Sequence, residues 1–520
     1  MHTMLTLFDF STSLAALLAS VVLLAYIYPN RCIGTVDRPD LPGPRGLPLI
    51  GNLLLVFQNR NGMLKFLDNM EATYGPLFTF TLPSLGRNIV INRPEWLEHM
   101  RKGDTTIYAK GKVVRDVFSQ FAGSTTPIST DGSAWKDARR LVQPIFAAKA
   151  VNTHASKAMC EIVPTVKTLL RAACHQNVVV DWKDLSGRLA LGIFCKMAFD
   201  VSTDMLTTEL SCLKLTNVLS DTLTTLGVIT ADRLFNPAWR ITERFDGTRS
   251  RFDAAKARLS AIVDDLIRDR SHPGGFDAEE STDYLTALLA STAEQDLSST
   301  RDTLMTLFFA GRDSTQNVIL WALYELTRSP GWIALMREEV VSRPPKGAEG
   351  IITFGELQAP RVQNYPIHLA VFFETLRLWP GLPKNARLAT EDDVLPAIPE
   401  KGLPAVRVNK GDFLLWSDMA MMRNEDVWGP DAKEFNPRRH LGEDGRFVKP
   451  DTPRFHSFGS GPRACPAMQL MTYEFTAIFA GLLCDFDFIP VHPGVRKSID
   501  ALAPFMDGPF MVEVHDRVVQ

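Results

Sequence analysis

The chain has 520 residues, of which 45% are hydrophobic and 22% charged, a composition that supports a large apolar core and excludes an intrinsically disordered protein. Its 56 basic and 59 acidic residues give a net charge of −3, which excludes a general nucleic-acid binder. Seven widely spaced cysteines, without a Cys-x-x-Cys pair, indicate neither a disulfide framework nor a structural zinc site.

The first predicted element is an uncharged apolar run over residues 10–28, long enough for a helix that spans the ~30 Å core of a bilayer. Arg31 and Arg38 follow the run and no Lys or Arg precedes it, which predicts that the body is cytosolic. A cleaved signal peptide is the alternative, but the run lacks a basic start and an Ala-x-Ala end. We expect a transmembrane anchor at 10–28, a proline-rich hinge at 29–48 and one catalytic domain at 49–520.

The spacing of apolar residues predicts a body that is mostly α-helical with smaller β regions. Strand-forming runs at residues 77–82 and 89–91 predict a hairpin, and further strands and turns are expected around 394–415. A long apolar helix is predicted over residues 297–328. Gly311 lies inside it at a cost of about 1 kcal/mol relative to Ala, so we expect a functional reason for this glycine.

Two pairs of side chains lie one helical turn apart, so that each pair shares a helix face. Trp135 and Arg139 form the first pair, and Glu374 and Arg377, near the end of an apolar helix, form the second. Taken alone, the first pair is explained equally well by an aromatic ring stacked on a surface arginine, and the second by a solvated ion pair. They gain meaning from a motif further along the chain.

That motif is a glycine-rich loop over residues 458–467 of the form Phe-x-x-Gly-x-Arg-x-Cys, followed by an apolar helix over 468–483. The combination arises by chance about once in a thousand chains of this length. The pattern predicts Cys465 at the N-cap and Pro466 at the first helical position. A helix N-terminus stabilises a thiolate, and a thiolate is a haem-iron ligand that favours O–O cleavage. A buried structural cysteine is the alternative.

With this loop the chain resembles the cytochrome P-450 family of haem-thiolate monooxygenases, over about residues 40–515. The resemblance implies the P-450 fold, as a single large domain behind the N-terminal anchor, and haem b with Cys465 as the axial thiolate and iron ligand. It also implies an endoplasmic reticulum membrane protein with a cytosolic catalytic domain, as in microsomal fungal members. Because few residues follow Cys465, we expect no flavin domain and an NADPH-cytochrome P-450 reductase as the electron donor.

The resemblance places further residues at the haem. Arg463, Trp135, Arg139 and Arg387 are expected to bind haem propionates. Ala467 replaces the family's glycine two residues after the cysteine and adds one methyl group beside the porphyrin. The residues expected to contact the cofactor are Cys465, Trp135, Arg139, Arg387, Arg463, Phe458, Gly311 and Ala310.

The Glu-x-x-Arg pair has a downstream partner in the same family pattern. Glu374 and Arg377, together with Arg439, match the family's buried Glu-Arg-Arg network. A buried ionic trio is costly unless it is fully hydrogen-bonded, so we interpret it as an element that holds the cysteine loop in place.

The oxygen-handling element is expected at Ala310, Gly311, Asp313, Ser314 and Thr315. The family usually has Thr directly after the acid, whereas this chain has Ser314 there, and Thr315 points ~100° away on the helix. We therefore assign proton transfer to Asp313 and Ser314 and expect Thr315 to bond to the backbone. Gly311 and a hydroxyl bonded to its own helix would widen the turn and leave a notch for dioxygen.

Thr303 and Leu307 precede Ala310 on the same helix face and are expected to face the substrate, as is Leu382. A mostly apolar pocket predicts a lipophilic substrate, namely a terpenoid or sterol, a fatty acid or an alkane, hydroxylated in lipid or secondary metabolism. A reductase-independent isomerase or dehydratase acting on a hydroperoxide is the main alternative, and a non-catalytic haem-binding scaffold is a third. Relatives of the isomerase kind commonly lack the acid and the alcohol, so Asp313 and Ser314 favour the monooxygenase.

The reductase needs a docking surface on the cysteine side of the haem. Arg139, Arg140, Lys433 and Arg454 are expected to form a basic patch there, with scattered solvated charges as the alternative.

Overall fold

The computed structural model describes residues 2–203, 205–271, 283–291, 297–358 and 361–517, with side chains from residue 12 onwards. Over these residues the protein is mostly helical with small sheets, which confirms the predicted class. The α-helices are α1 His2–Ile27, α2 Leu53–Asn59, α3 Met63–Tyr74, α4 Pro94–Gly103, α5 Gly111–Ala122, α6 Gly132–Val142, α7 Ala148–Ala150, α8 Ser156–His175, α9 Trp182–Phe199, α10 Val218–Phe235, α11 Trp239–Thr242, α12 Thr248–Ser271, α13 Tyr284–Ser291, α14 Leu297–Arg328, α15 Pro330–Ser342, α16 Pro366–Leu378, α17 Asp418–Met422, α18 Glu425–Trp428 and α19 Met468–Asp485. The strands are β1 Leu77–Leu82, β2 Gly86–Ile91, β3 Tyr108–Ala109, β4 Val180–Asp181, β5 Lys384–Ala389, β6 Asp393–Leu395, β7 Val406–Val408, β8 Phe413–Ser417, β9 Phe486–Pro490 and β10 Met511–Asp516.

The first of two compact units comprises the chain up to Val113, Asp232–Ile241 and Asn385–Ser417. Its five-stranded sheet has the order β1-β2-β8-β5-β3. Strands β1 and β2 form the predicted antiparallel hairpin, and β6, β7 and β8 fall in the second region of expected strands. Every residue of β1 is buried, since the β-branched and aromatic side chains of this strand pack on both of its faces.

Residues 10–27 of the predicted membrane anchor belong to α1, in this unit. Among the residues that the structure describes, no helix combines the length and the apolar character that a membrane crossing requires. The anchor expected at residues 10–28 stays a prediction. The expected boundaries of the hinge and the catalytic domain stay predictions.

The second unit comprises Val114–Ala231, Thr242–Lys384 and from Asp418 onwards, with a three-stranded sheet of order β4-β10-β9. Helix α14 has the predicted bounds, and most of its side chains are buried against α9, α12 and α16. A helix that is buried on nearly all sides must be apolar on nearly all sides, and polar residues inside it need partners.

Two indole rings join α14 to the end of α16. The rings of Trp321 and Trp379 stack with their centroids 3.5 Å apart and their planes 4° from parallel. Trp379 Nε1 donates a hydrogen bond to Glu325 Oε1 at 2.9 Å, and the guanidinium of Arg423 lies 4.5 Å from the Trp379 ring centroid. The stack fixes α14 against the segment that carries Glu374 and Arg377.

Candidate active site

The glycine-rich loop closes on itself just before Cys465. Gly459 and Gly461 adopt φ values of 65° and 67°, in the left-handed region that favours glycine. The chain thereby folds back, and the backbone N–H of Cys465 donates to the carbonyl of Phe458 at 2.7 Å. The two glycines of the motif are therefore required by the backbone conformation of the loop.

The prediction that Cys465 caps the following helix is wrong. Pro466 and Ala467 form a turn, and α19 begins at Met468 with Ala467 as its N-cap. The chain therefore does not enter the helix directly after Cys465. Within the turn, the backbone N–H of Ala467 donates a hydrogen bond to the Cys465 sulfur. Ala467 has φ −85° and ψ 5°, which an L-residue adopts without strain, so alanine is tolerated here.

The Cys465 sulfur is surrounded by protein but is not packed over. Burial raises the pKa of the Cys465 thiol, and the Ala467 hydrogen bond and the positive charge of Arg139 oppose that rise. The side chain is nevertheless exposed, so the sulfur is accessible to a ligand. A thiol in this setting becomes a thiolate when a metal ion supplies the missing positive charge, and the site therefore fits a haem iron.

Three of the predicted propionate ligands lie together beside the cysteine loop. Arg139 Nη2 donates to the Ala464 carbonyl at 2.5 Å, and the guanidinium of Arg463 lies 5.5 Å from the ring centroid of Trp135. Arg463 Nη1 is also 3.2 Å from Asp131 Oδ1, a carboxylate that the sequence analysis missed. Propionate binding by this cluster stays a prediction.

The fourth predicted propionate ligand, Arg387, belongs to the first compact unit. Its Nε lies 3.4 Å from Asp104 Oδ1, and its guanidinium is 5.7 Å from the centroid of Trp416. Both partners lie in the same unit, so Arg387 is held there by an ion pair and a cation–π contact.

The Glu-Arg-Arg residues form one buried network. Glu374 accepts from Arg377 Nε and Nη2, each at 2.8 Å, and from Arg439 Nε at 3.1 Å. His440 Nε2, which the sequence analysis missed, lies 3.1 Å from Glu374 Oε2. Burial alone would raise the pKa of Glu374, but the hydrogen bonds from Arg377 and His440 outweigh it and lower the pKa to about 2.

The contact between α16 and the cysteine loop comes from residues outside that network. Ser457 Oγ donates to the carbonyl of Leu376 at 2.8 Å, one residue from Arg377. His456 contacts Asp418 Oδ1 through Nδ1 at 3.0 Å and Ser460 Oγ through Nε2 at 3.3 Å. His456 and Ser457, two polar residues directly before Phe458, were the sequence signal for this contact between α16 and the cysteine loop.

The two hydroxyls of the oxygen-handling segment have the reverse of their predicted contacts. Ser314 Oγ donates to the Ala310 carbonyl at 3.0 Å, whereas Thr315 Oγ1 leaves the helix and lies 3.3 Å from Met471 Sδ. Thr315 was expected to be the residue bonded to the backbone, and that prediction is wrong. The physical reason is that Thr315 faces α19, which offers partners, whereas Ser314 faces away from α19 and donates to the Ala310 carbonyl of its own helix.

The expected widened turn at Gly311 is also wrong, because α14 stays α-helical through this residue. A Cβ atom at position 311 would lie 2.6 Å from the Phe194 ring of α9. The close approach of α9 thus explains the glycine. Ala310, next to it, is exposed in the middle of the long helix and borders an open space.

Asp313 is a buried carboxylate with an adjacent cation. Arg312 Nη1 donates to Asp313 Oδ1 at 2.7 Å and to Thr224 Oγ1 at 2.9 Å, and Arg312 Nη2 donates to Ser220 Oγ. Asp313 Oδ2 has no hydrogen-bond partner among the described residues. Burial raises the pKa of Asp313, and the ion pair with Arg312 opposes the rise without cancelling it.

A second buried acid lies behind α14. Glu474 on α19 is 4% exposed, and its side chain is hydrogen-bonded by Thr315. Burial raises the pKa of Glu474 to about 8, which the Thr315 hydrogen bond only partly opposes. Glu474 was not predicted as a site residue, although a single acid inside the apolar run of α19 was the available signal.

The residues expected to contact the substrate differ in exposure. Thr303 and Leu307 on α14 are 3% and 4% exposed, and Leu382, after α16, is 51% exposed. Leu382 follows Gly381. A Cβ atom at position 381 would lie 3.3 Å from the Cβ of Ser314, so the segment that carries Leu382 passes close to the oxygen-handling part of α14.

Comparisons with known proteins cover nearly the whole chain. The family model described as Cytochrome P-450 matches residues 41–512. A cytochrome P-450 monooxygenase cyp1 of Mycosarcoma maydis is 32% identical over 520 residues, 96% of this chain and 79% of that protein. Cytochrome P-450 94A1 of Vicia sativa is 26% identical over 91% of this chain and 90% of its own length, and cytochrome P-450 94B3 of Arabidopsis thaliana is 26% identical over 96% and 97%.

Proposed function

The chain belongs to the cytochrome P-450 family, and we propose that it hydroxylates a lipophilic substrate with dioxygen and electrons from an NADPH-cytochrome P-450 reductase. It is an oxidoreductase of the monooxygenase type, and the family uses haem b with a cysteine thiolate as the axial ligand. The observation that carries the proposal is the buried Asp313, next to Ser314 on α14, with one carboxylate oxygen unpartnered among the described residues.

Haem b, when bound to Cys465, supplies the redox chemistry that activates dioxygen. The Ala467 N–H and Arg139 stabilise negative charge on the Cys465 sulfur and so moderate its electron donation. Asp313 holds and releases a proton, for which a carboxyl pKa raised towards the working pH is suited. The Ser314 hydroxyl must leave the Ala310 carbonyl to donate a hydrogen bond elsewhere, and this makes it a movable donor.

The proposed substrate is a terpenoid or sterol, a fatty acid or an alkane, in lipid or secondary metabolism. Ala310 and Leu382 are exposed and offer apolar surface, while Thr303 and Leu307 are buried on the same helix as Ala310. Apolar pockets with few polar groups bind lipophilic molecules. In such a pocket the shape of the pocket decides which carbon atom of the substrate is attacked.

We propose the endoplasmic reticulum membrane, facing the cytosol, as its location. The support is the uncharged run of residues 10–28 and the exposure of large apolar side chains on α1, such as Leu17 and Val22 at 61% and 68%. Carbonate extraction of isolated microsomes tests the proposal. Full release of the protein into the carbonate supernatant would contradict it.

The proposed reductase surface includes Arg140 and Lys433, whose side chains are 78% and 72% exposed. Each is also paired with an acid, Asp137 at 3.1 Å and Glu425 at 2.8 Å, so the patch is of mixed charge. Steering by such a patch weakens with salt, and the apparent affinity for the reductase should fall as ionic strength rises.

The reduced, carbon-monoxide difference spectrum of the wild type and of Cys465→Ala tests the thiolate ligand. We expect the thiolate band in the wild type and in the matched Cys484→Ala variant, and its loss in Cys465→Ala. Loss in both variants, or in neither, would contradict the assignment.

Turnover tests the reaction itself. Purified protein with reductase and NADPH is supplied with dodecanoate, a terpene alcohol or an alkane, and hydroxylated product is measured. Turnover of an organic hydroperoxide that needs neither NADPH nor reductase, without any hydroxylation, would instead identify an isomerase or dehydratase.

A further inference from the structure

Arg312 joins the candidate proton donor to a second helix. Its guanidinium bonds Asp313 on α14 and both Ser220 and Thr224 on α10. Arg312 is 4% exposed, and its guanidinium lies 5.7 Å from the ring centroid of Phe505. A buried cation with this many fixed partners has one orientation, so it fixes the orientation of the Asp313 carboxylate too.

The guanidinium cannot itself carry the proton. Arginine stays protonated in proteins, so it offers donors and no acceptor site. The Asp313 Oδ1 atom, which receives the Arg312 hydrogen bond at 2.7 Å, is therefore blocked on that side. Oδ2, which accepts no hydrogen bond from the described residues, is the more open oxygen for a proton.

The space around Oδ2 is set by a glycine of α10. A Cβ atom at Gly227 would lie 3.5 Å from Asp313 Oδ2 and 3.4 Å from the Phe309 ring. The missing side chain therefore leaves a small gap directly against Oδ2. Thr224, three residues before Gly227 on α10, is partly exposed, so accessible surface of α10 lies within one helical turn of Gly227.

Two polar atoms of the Arg312–Asp313 ion pair need a partner. Asp313 Oδ2 is an acceptor and Arg312 Nε is a donor, and neither has a hydrogen-bond partner among the described residues. Buried polar atoms left in this way are commonly satisfied by ordered water, and a water needs two or more polar partners.

We propose that protons reach Asp313 through Oδ2 from the side of α10, across the gap at Gly227, and that Arg312 is the positioning residue that holds the opposite oxygen. The inference rests on the proposed function, because it concerns the proton that the monooxygenase reaction consumes. It assigns roles to Arg312, Gly227, Ser220 and Thr224, in addition to those of Asp313 and Ser314.

The central test is Gly227→Ala in the full-length, haem-loaded protein with reductase. The added methyl group makes ordinary contacts, so the variant folds, but it fills the gap against Oδ2. Gly192→Ala in α9 is the matched control, because its Cβ would meet only apolar side chains, at 3.5 and 3.6 Å. NADPH consumption, hydrogen peroxide release and the solvent deuterium isotope effect are measured without added substrate.

We expect Gly227→Ala to slow NADPH consumption by at least about tenfold and to raise the isotope effect, since losing proton transfer altogether costs roughly 10²-fold or more. Turnover of dodecanoate driven by cumene hydroperoxide, which bypasses proton delivery, should stay unchanged. A Gly227→Ala variant with the rate and isotope effect of the wild type would overturn the proposal, as would an equal slowing in Gly192→Ala.

A second pair of variants tests Arg312 without removing it. Thr224→Val takes away one of its anchors, and Thr225→Val is the control, because the Thr225 hydroxyl bonds the Asp221 carbonyl of its own helix. We expect Thr224→Val to raise the share of NADPH lost as hydrogen peroxide while the control matches the wild type. Equal peroxide shares in both variants would refute the positioning role.

Failure of the proposed function gives a different result. If the wild type consumes NADPH but leaves dodecanoate unchanged, the fatty-acid option fails, while the comparison of Gly227→Ala with the wild type still decides the inference. If the haem-loaded wild type consumes no NADPH beyond the reductase alone, both proposals are overturned.

Discussion

Replacing Glu474 by glutamine should make the protein more stable, and by an amount that grows with pH. Burial raises the pKa of Glu474 to about 8, against 4.5 for an ordinary glutamate. The folded protein therefore keeps a proton between these pH values that the unfolded chain has released. The stability that this proton contributes is fully present below pH 4.5 and is lost as the pH rises to about 8.

The magnitude follows from the size of the shift. Each pH unit between the two pKa values lowers the free energy of unfolding by about 1.4 kcal/mol. The wild type should lose about 3 kcal/mol by pH 7 and about 5 kcal/mol by pH 8, and little more above that. Glutamine is neutral throughout and still accepts the Thr315 hydrogen bond, so Glu474→Gln lacks this loss.

Urea unfolding followed by tryptophan fluorescence at pH 5, 6, 7, 8 and 9 measures the difference between the two proteins. All other titrating groups are common to both and cancel in that difference. Glu443→Gln is the control, because Glu443 is exposed. Curves for wild type and Glu474→Gln that stay parallel from pH 5 to 8 would refute the reasoning.

Three further variants probe the scaffold around the site. Glu374→Gln should cost about 3–5 kcal/mol at pH 7, because it leaves the buried Arg377 without its counter-charge. In the wild type, whose Glu374 pKa is lowered to about 2, stability should fall as the pH drops from 4.5 towards 2, and acid titration by circular dichroism checks both statements. Gly311→Ala should lose about 1–3 kcal/mol in urea unfolding because its Cβ would overlap the Phe194 ring at 2.6 Å, and Phe194→Leu in the same chain should restore most of the loss. Ser457→Ala should cost about 1 kcal/mol and speed haem transfer to apomyoglobin, since it removes the bond to the Leu376 carbonyl.

Local patterns predicted much of the scaffold. The bounds of α14 follow from its continuous apolar run, and the hairpin β1–β2 follows from its two strand-forming segments. Gly459 and Gly461 belong to the glycine-rich motif that the sequence shows, and their positive φ values give the backbone reason for glycine at these positions. Helix bounds, hairpins and tight turns are determined by residues that are close together in the sequence, and for this reason the sequence predicts them.

Features fixed by distant residues were predicted less well. Thr315 was expected to bond to its own helix, but α19 lies opposite it and provides Met471 and Glu474 as partners. Gly311 was assigned to dioxygen, whereas the Phe194 ring of another helix accounts for it. The helix after Cys465 begins three residues later than the cysteine, at Met468, and the spacing of apolar residues did not show the turn at Pro466 and Ala467 that separates them.

The stacked indoles of Trp321 and Trp379 give the protein a built-in optical reporter. Electronic transitions of two aromatic rings in van der Waals contact couple, and the resulting near-ultraviolet circular dichroism depends on their mutual angle and separation, here 4° and 3.5 Å. One ring belongs to the helix with Asp313 and the other follows the helix with Glu374. Any ligand or partner that shifts one helix against the other should therefore change this signal in the native protein, without a label and without waiting for a reaction.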